Sequence, residues 1–215
     1  MNRTQIAWMI GRPFFGGLVR IVAPLRAYGR ERIPLNGPLV LCFNHFSWLD
    51  PWALGSVVPR TVYYVAKQEV HDNPFLGPFI RLFGTSPVRR GESDREAIRI
   101  MREVVRRGDA LGMFPEGRRQ EREPGPVRSG AALIAVQEAA PVVCGAIHGS
   151  QDWRVGNFHP VSIAFGEPLD LGHHPRNSQG YRAASEEIQQ ELRRLWEFLV
   201  TMHDLGRPRV AIPPA

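Results

Sequence analysis

The sequence predicts one α/β layered domain, a mixed β-sheet flanked by helices, preceded by an N-terminal helical segment. Three observations lead there. Short apolar runs of strand length alternate with segments of helical character, the pattern of a layered sheet. The chain has 215 residues, enough for one good-sized domain and too few for two. Hydrophobic residues make up 43%, so the chain can bury a core and disorder is not the default.

The elements follow in order. Ile6 to Leu25 is mostly apolar, carries Arg3, Arg12, Arg20 and Arg26 in and beside it, and is interrupted by Pro13 and Pro24. It suits one or two short helices in a bilayer interface, or equally a helical hairpin packed on the domain. Residues 1–28 are therefore set apart as a membrane-associating segment and 29–215 as the main domain. Pro38 to Phe43 reads as a buried strand, and Asp50-Pro51 opens a short helix. Thr61 to Ala66, rich in Val and Tyr, is the second strand. Asn73 to Phe83 reads as a helix and Ser86 to Val88 as a short strand. Ser93 to Arg107 is the clearest helix: Ser93 and Glu96 have capping-box spacing, and Gly108 ends it. Leu111 to Phe114 is a strand, and polar Arg119 to Arg128 reads as a mobile loop. Ser129 to Ala139 is a helix, with strands at Val142 to Ile147 and Val161 to Phe165. Ser178 to Met202 is a long amphipathic helix with Ile188, Leu192, Leu195 and Leu199 at helical spacing.

The formal net charge is +6, and Lys67 is the only lysine among the cations. Guanidinium groups bind phosphate bidentately, so an arginine surface suits anionic headgroups or nucleic acid. The arginines are spread along the chain with no nucleic-acid-binding signature, and no nucleic-acid partner is expected. Cys42 and Cys144 lie in apolar runs without metal-ligand spacing and read as buried core thiols. No run of eighteen apolar residues suggests a membrane span, and no signal peptide is expected.

Chemistry concentrates where strands end. Phe43-Asn44-His45-Phe46-Ser47-Trp48-Leu49-Asp50-Pro51 follows directly on a buried strand. A neutral imidazole there can take a proton near neutral pH, and a carboxylate on its other nitrogen fixes the tautomer. Five residues along a helix are about 140° apart. His45 and Asp50 can therefore meet only if the intervening residues turn and Asp50 starts the next helix. Asp50-Pro51 also reads as an ordinary helix cap followed by a first-turn proline.

Phe114-Pro115-Glu116-Gly117-Arg118-Arg119 follows a second strand and brings a carboxylate, a permissive glycine and two cations. Val88-Arg89-Arg90-Gly91 ends a third. Taken singly, each arginine reads as solvated surface charge. Together the three clusters suit a hydroxyl nucleophile on a phosphate-bearing molecule.

These residues resemble the glycerophosphate and lysophosphatidate acyltransferase family. Asn44-His45 to Asp50 is similar to its NHxxxxD motif, Gly84 to Arg90 to its second motif, Phe114 to Arg119 to its FPEGTR motif, and Ala140 to Ala146 to its fourth. The resemblance implies acyl transfer from acyl-CoA or acyl-carrier protein to the hydroxyl of a lysophospholipid acceptor. It implies His45 as general base and Asp50 as its orienting partner, with Asn44, Arg90, Glu116, Gly117 and Arg119 binding substrate. No cofactor and no metal are implied. The expected place is a membrane surface, at the cytoplasmic face of the cell membrane, peripheral or monotopic. Arg118 stands where the family usually has threonine, and Cys144 where a second proline is common. Arg118 puts an extra cation near the headgroup, which leaves another lysolipid or an amino-lipid acceptor open.

The rival classes are weaker. A hydrolase would need an activated nucleophile, and there is no G-x-S-x-G elbow. Ser150 follows His148-Gly149 outside that frame, and His148 reads as loop or core. A non-catalytic lipid-binding protein would make His45 and Asp50 dispensable. His173-His174 lacks convincing carboxylate or cysteine company in the sequence and reads as a solvated turn rather than a metal site.

Overall fold

The computed structural model describes residues 2–88 and 94–214. Among the described residues, seven strands form one sheet: β1 (Leu25–Tyr28), β2 (Leu39–Phe43), β3 (Val62–Lys67), β4 (Thr85–Val88), β5 (Ala110–Met113), β6 (Val142–His148) and β7 (Val161–Phe165). Their order is β1-β7-β6-β2-β5-β3-β4. The β6–β7 pair is antiparallel and the other neighbours are parallel. The sheet is thus mixed, as expected for the domain, with the antiparallel pair where no helix separates β6 from β7.

Helices cover both faces. They are α1 (Arg3–Val22), α2 (Asp50–Val57), α3 (Gln68–His71), α4 (Leu76–Leu82), α5 (Asp94–Arg106), α6 (Gly130–Glu138) and α7 (Ser178–Asp204). One core layer joins Val40, Leu111, Val142 and Cys144 of the sheet to Ile134 of α6 and to Ile188, Leu192 and Leu195 of α7. The other joins Leu39, Leu41, Phe43, Val143 and Ile163 to Val19 of α1 and Ala53 and Leu54 of α2. Strand β2 is central and all five of its residues are buried, which accounts for its continuous apolar run.

Cys42 and Cys144 lie side by side across β2 and β6, free and buried. Burial pushes the Cys42 thiol up to about 12, so these are inert core thiols, as read from the sequence.

Three sequence expectations change. Pro13 does not break the N-terminal segment: α1 is one helix of 20 residues, with Pro13 inside it on the exposed side. Pro24 does end it, and Leu25–Tyr28 pairs with β7 instead of belonging to a separate segment. The division at residue 28 therefore cuts through the edge of the sheet. The helix expected over Asn73 to Phe83 begins at Leu76, and α3 precedes it. The Asn73 carboxamide accepts the N–H groups of Phe75 and Leu76 and closes the turn between them.

The face of α1 turned to the domain uses Trp8, Gly11, Gly16 and Val19. Trp8 packs so closely on α2 that a Cβ at Gly55 would lie 2.5 Å from its ring. Its indole N–H donates to the Phe83 carbonyl at 3.0 Å. The opposite face leaves Ile6, Met9, Ile10, Phe14, Leu18 and Ile21 exposed. The segment thus packs on the domain, as a single helix rather than a hairpin, and carries an exposed apolar stripe on its other face. Among the described residues, no helix is long and apolar enough to cross a membrane.

Candidate active site

The parallel strands β2, β5 and β6 end at the same edge of the sheet, so their following loops converge. His45 stands two residues beyond β2, and its Nδ1 lies 2.9 Å from Oδ2 of Asp50. The chain from Ser47 turns, with the Asp50 N–H donating to the Ser47 carbonyl at 3.2 Å, so that Asp50 opens α2. This is the turn the spacing required. Asp50 does not cap α2 with its side chain. Its carboxylate points back, and Oδ2 also accepts the N–H groups of Phe46 at 2.7 Å and Ser47 at 2.8 Å. The helix-cap alternative is thereby corrected. Oδ1 of Asp50 is buried with no hydrogen-bond partner among the described residues.

The His45 ring stacks on Phe114 with centroids 4.2 Å apart and 26° between planes. Its side chain is 19% exposed while that of Asp50 is fully buried, so the imidazole is partly accessible and its carboxylate partner is not.

Asn44 and Glu116, expected to bind substrate, do something else. Asn44 is fully buried; its carboxamide donates to the Ile147 carbonyl at 3.0 Å and accepts the Ile147 N–H at 2.8 Å. Both ends of the amide are bonded to β6 and the side chain is fully buried, so it does not face a ligand. Glu116 is 3% exposed. One of its oxygens accepts the backbone N–H of His45 at 3.0 Å and the other that of Gly125 at 2.9 Å. Burial raises its carboxyl to about 7; the two N–H bonds oppose this, and the nearby Asp50 adds to it. Asn44 and Glu116 are struts that hold the His45 loop against β6 and the 119–128 loop.

Gly117 has φ +73 and closes a turn in which its N–H donates to the Phe114 carbonyl at 3.0 Å. A side chain there would be strained and would come within 3.2 Å of the Arg128 guanidinium. The turn leaves Gly117, Arg118 and Arg119 exposed beside the His45 loop. Arg89 and Arg90 lie outside the described residues.

The 119–128 segment, read as a mobile loop, is tied down at four points, one of them the Val127 N–H donating to Oε1 of Gln189 at 3.2 Å. The Gln120 N–H donates to the His45 carbonyl at 2.7 Å, the Gly125 N–H to Glu116, and the Arg128 N–H to the Pro115 carbonyl at 2.9 Å. Sequence reasoning missed Gln120, Gly125 and Ile147 as supports of the site. All three act through backbone groups, which side-chain identity does not advertise, and the prolines and glycines of the segment were read as loop composition.

A family model described as Acyltransferase matches residues 24–148, which span every one of these site residues. The chain belongs to the acyltransferase family. It is similar to the 1-acyl-sn-glycerol-3-phosphate acyltransferase of Bacillus subtilis, with 28% identity over 85% of this chain and 95% of the relative. The enzyme of that name from Streptococcus pneumoniae is also 28% identical, over 79% of this chain and 64% of the relative. Among solved structures, the LPA acyltransferase PlsC from Thermotoga maritima shares the fold. Its TM-score is 0.72 at 22% identity, covering 88% of this acyltransferase and 78% of that chain. This acyltransferase is therefore an enzyme with that mixed-sheet architecture.

Proposed function

We propose that this acyltransferase moves a fatty acyl group from acyl-CoA or acyl-carrier protein to the free hydroxyl of a lysophospholipid such as 1-acylglycerol-3-phosphate. The observation that carries the reading is the His45–Asp50 pair, 2.9 Å apart, with Asp50 held by two further backbone N–H groups. With Nδ1 committed to Asp50, Nε2 is the nitrogen that takes the acceptor's proton. The acceptor oxygen attacks the thioester carbonyl to give a tetrahedral intermediate. That intermediate collapses with cleavage of the C–S bond, and the proton on His45 passes to the departing thiolate. Asp50 stabilises the imidazolium between the two transfers.

Arg119 and Arg118 on the exposed turn after β5, with Arg90, bind the acceptor's phosphate. Two adjacent cations at this turn also favour a second acceptor reading: another anionic lysolipid, or an amino-lipid that carries a carboxylate.

The reaction runs at a membrane surface, on its cytoplasmic face. Support comes from the exposed stripe Ile6, Ile10, Phe14, Leu18 and Ile21 on α1. That helix ends beside the active-site loops. The Trp153 indole N–H donates to the Val22 carbonyl at 2.9 Å, and its ring lies 5.3 Å from that of Trp48, three residues after His45. Trp48 is itself 55% exposed, while Trp153 beneath it is buried, so α1 and the His45 loop share a packed junction with an exposed aromatic ring above it.

The test is acyl transfer by purified protein in vesicles, offering acyl-CoA and acyl-carrier protein against a panel of lysolipids, with His45→Ala alongside. Acceptor-dependent product that disappears in the variant is expected, and the panel names the acceptor. Product that survives His45→Ala overturns the mechanism. Donor turnover without any acylated lipid overturns the transfer reading in favour of hydrolysis.

A further inference from the structure

We propose that His173, His174 and Glu187 form a binding site for a transition-metal dication of the zinc type, at the edge of the sheet opposite His45. The three side chains each offer one ligand atom, and these atoms lie within 4.8 Å of one another. Nε2 of His174 is 2.6 Å and Nε2 of His173 is 3.4 Å from the same carboxylate oxygen, Oε1 of Glu187. Two imidazoles and a carboxylate are a borderline donor set that suits zinc and its neighbours rather than magnesium or calcium. In a tetrahedral site with bonds of about 2.0 Å, ligand atoms stand about 3.3 Å apart. The His173–Glu187 separation already has that length.

The cluster is built before any ion arrives. Leu171 is 1% exposed and anchors the turn. Asp170 closes it by accepting the Gly172 N–H at 2.9 Å, and the His174 N–H donates to the Leu171 carbonyl at 3.2 Å. Nδ1 of His173 lies 3.0 Å from the Asp170 carbonyl. Donation from Nδ1 to that carbonyl selects the tautomer whose Nε2 lone pair faces Glu187, the arrangement that orients metal-bound histidines. His174 is 11% exposed and His173 61%, so one ligand is held inside while the other leaves an entry path. A fourth position remains for water.

The site sits away from the chemistry. The segment after β7 starts with the Gly166 N–H donating to the Cys144 carbonyl, and Leu169 bridges to Val142 at the beginning of β6. His45 lies beyond the far end of β6's neighbour β2. An ion here pins the 169–177 turn to α7, a structural role.

Zinc titration of the untagged full chain by calorimetry tests this, with His174→Ala, Glu187→Gln and, as control, His148→Gln. The control perturbs the other close histidine pair, His148 and His203, whose rings are 4.5 Å apart. One saturable zinc per chain is expected. Affinity should fall by roughly tenfold or more in both ligand variants, since loss of an outer-shell partner alone costs about that much, and should hold in the control. Zinc should raise Tm of the parent and leave that of Glu187→Gln unchanged. Glu187 is a partly exposed helix position, so that variant keeps the fold. Cobalt(II) should give a spectrum without a thiolate band. Absence of saturable binding, zinc that survives both ligand substitutions, loss in the control or a thiolate band would each overturn the site.

Discussion

Asn44 and Ile147 exchange two hydrogen bonds, at 3.0 and 2.8 Å, across the boundary between β2 and β6. The pair ties the start of the His45 loop to the neighbouring strand by a side chain, at the point where the backbone ladder of β2 stops. Asn44→Ala leaves a buried N–H and a buried carbonyl of Ile147 without partners. At about 1–3 kcal/mol for each of the two groups, the expected loss of stability is roughly 2–6 kcal/mol. Denaturant unfolding measures it, and a loss below about 1 kcal/mol, the worth of one ordinary hydrogen bond, would deny Asn44 its strut role.

Asp50→Asn separates orientation from folding. The amide keeps the shape but cannot reproduce a carboxylate oxygen that takes the His45 Nδ1–H and two backbone N–H groups together. Turnover is expected to fall roughly 10³-fold or more, by analogy with loss of the orienting carboxylate in a hydrolytic triad. KM for the acceptor should change little. A kcat within about tenfold of the parent, less than general-base catalysis normally contributes, would remove Asp50 from the mechanism.

Glu116 supplies a pH signature in stability. Its carboxyl is raised by burial from an ordinary 4.5 to about 7 in the folded chain. Between these values the folded state binds more protons than the unfolded one, so unfolding free energy falls as pH rises. The contribution is fully present below about 4.5 and is lost as pH passes about 7. Thermal melts from pH 4 to 8 should show this component in the parent and lose it in Glu116→Gln. An identical pH dependence in both proteins would mean that Glu116 is not the group responsible.

The exposed stripe of α1 predicts a separation between membrane binding and chemistry. Ile10 and Phe14 are 65% and 69% exposed. Each apolar side chain contributes about 1.5–3 kcal/mol when buried. Ile10→Ser with Phe14→Ser should therefore weaken vesicle binding by roughly tenfold or more in a flotation assay. Turnover of dissolved short-chain substrates should be retained. Unchanged flotation would count against α1 as the contact surface.

Most of the strands were legible because buried runs such as Leu39–Phe43 and Val142–Ile147 have no other use for continuous apolar sequence. β1 was not, because Leu25–Tyr28 is four residues at the sheet edge, with Arg26 in its middle and burial only at Tyr28. The long C-terminal helix was legible from its apolar spacing, and it ends within two residues of the expected position. Pro13 misled because a proline on an exposed helix face breaks a single intrahelical bond, while tertiary packing on the other face holds the helix together.

The sequence by itself determined the fold class, the pairing of a histidine with an aspartate five residues on, and the family. These rest on local order along the chain: apolar runs, turn residues and motifs read within a few positions. Only the tertiary structure decided which polar residues face a ligand and which face the protein. Asn44 and Glu116 carry the same chemistry either way, and what turns them inward is the arrival of Ile147 from β6 and Gly125 from the following loop. In the same way His173 and His174 meet a carboxylate only when α7 brings Glu187 against their turn. Such contacts form between backbones and side chains far apart in sequence, set by strand order and helix packing, and no local pattern encodes them.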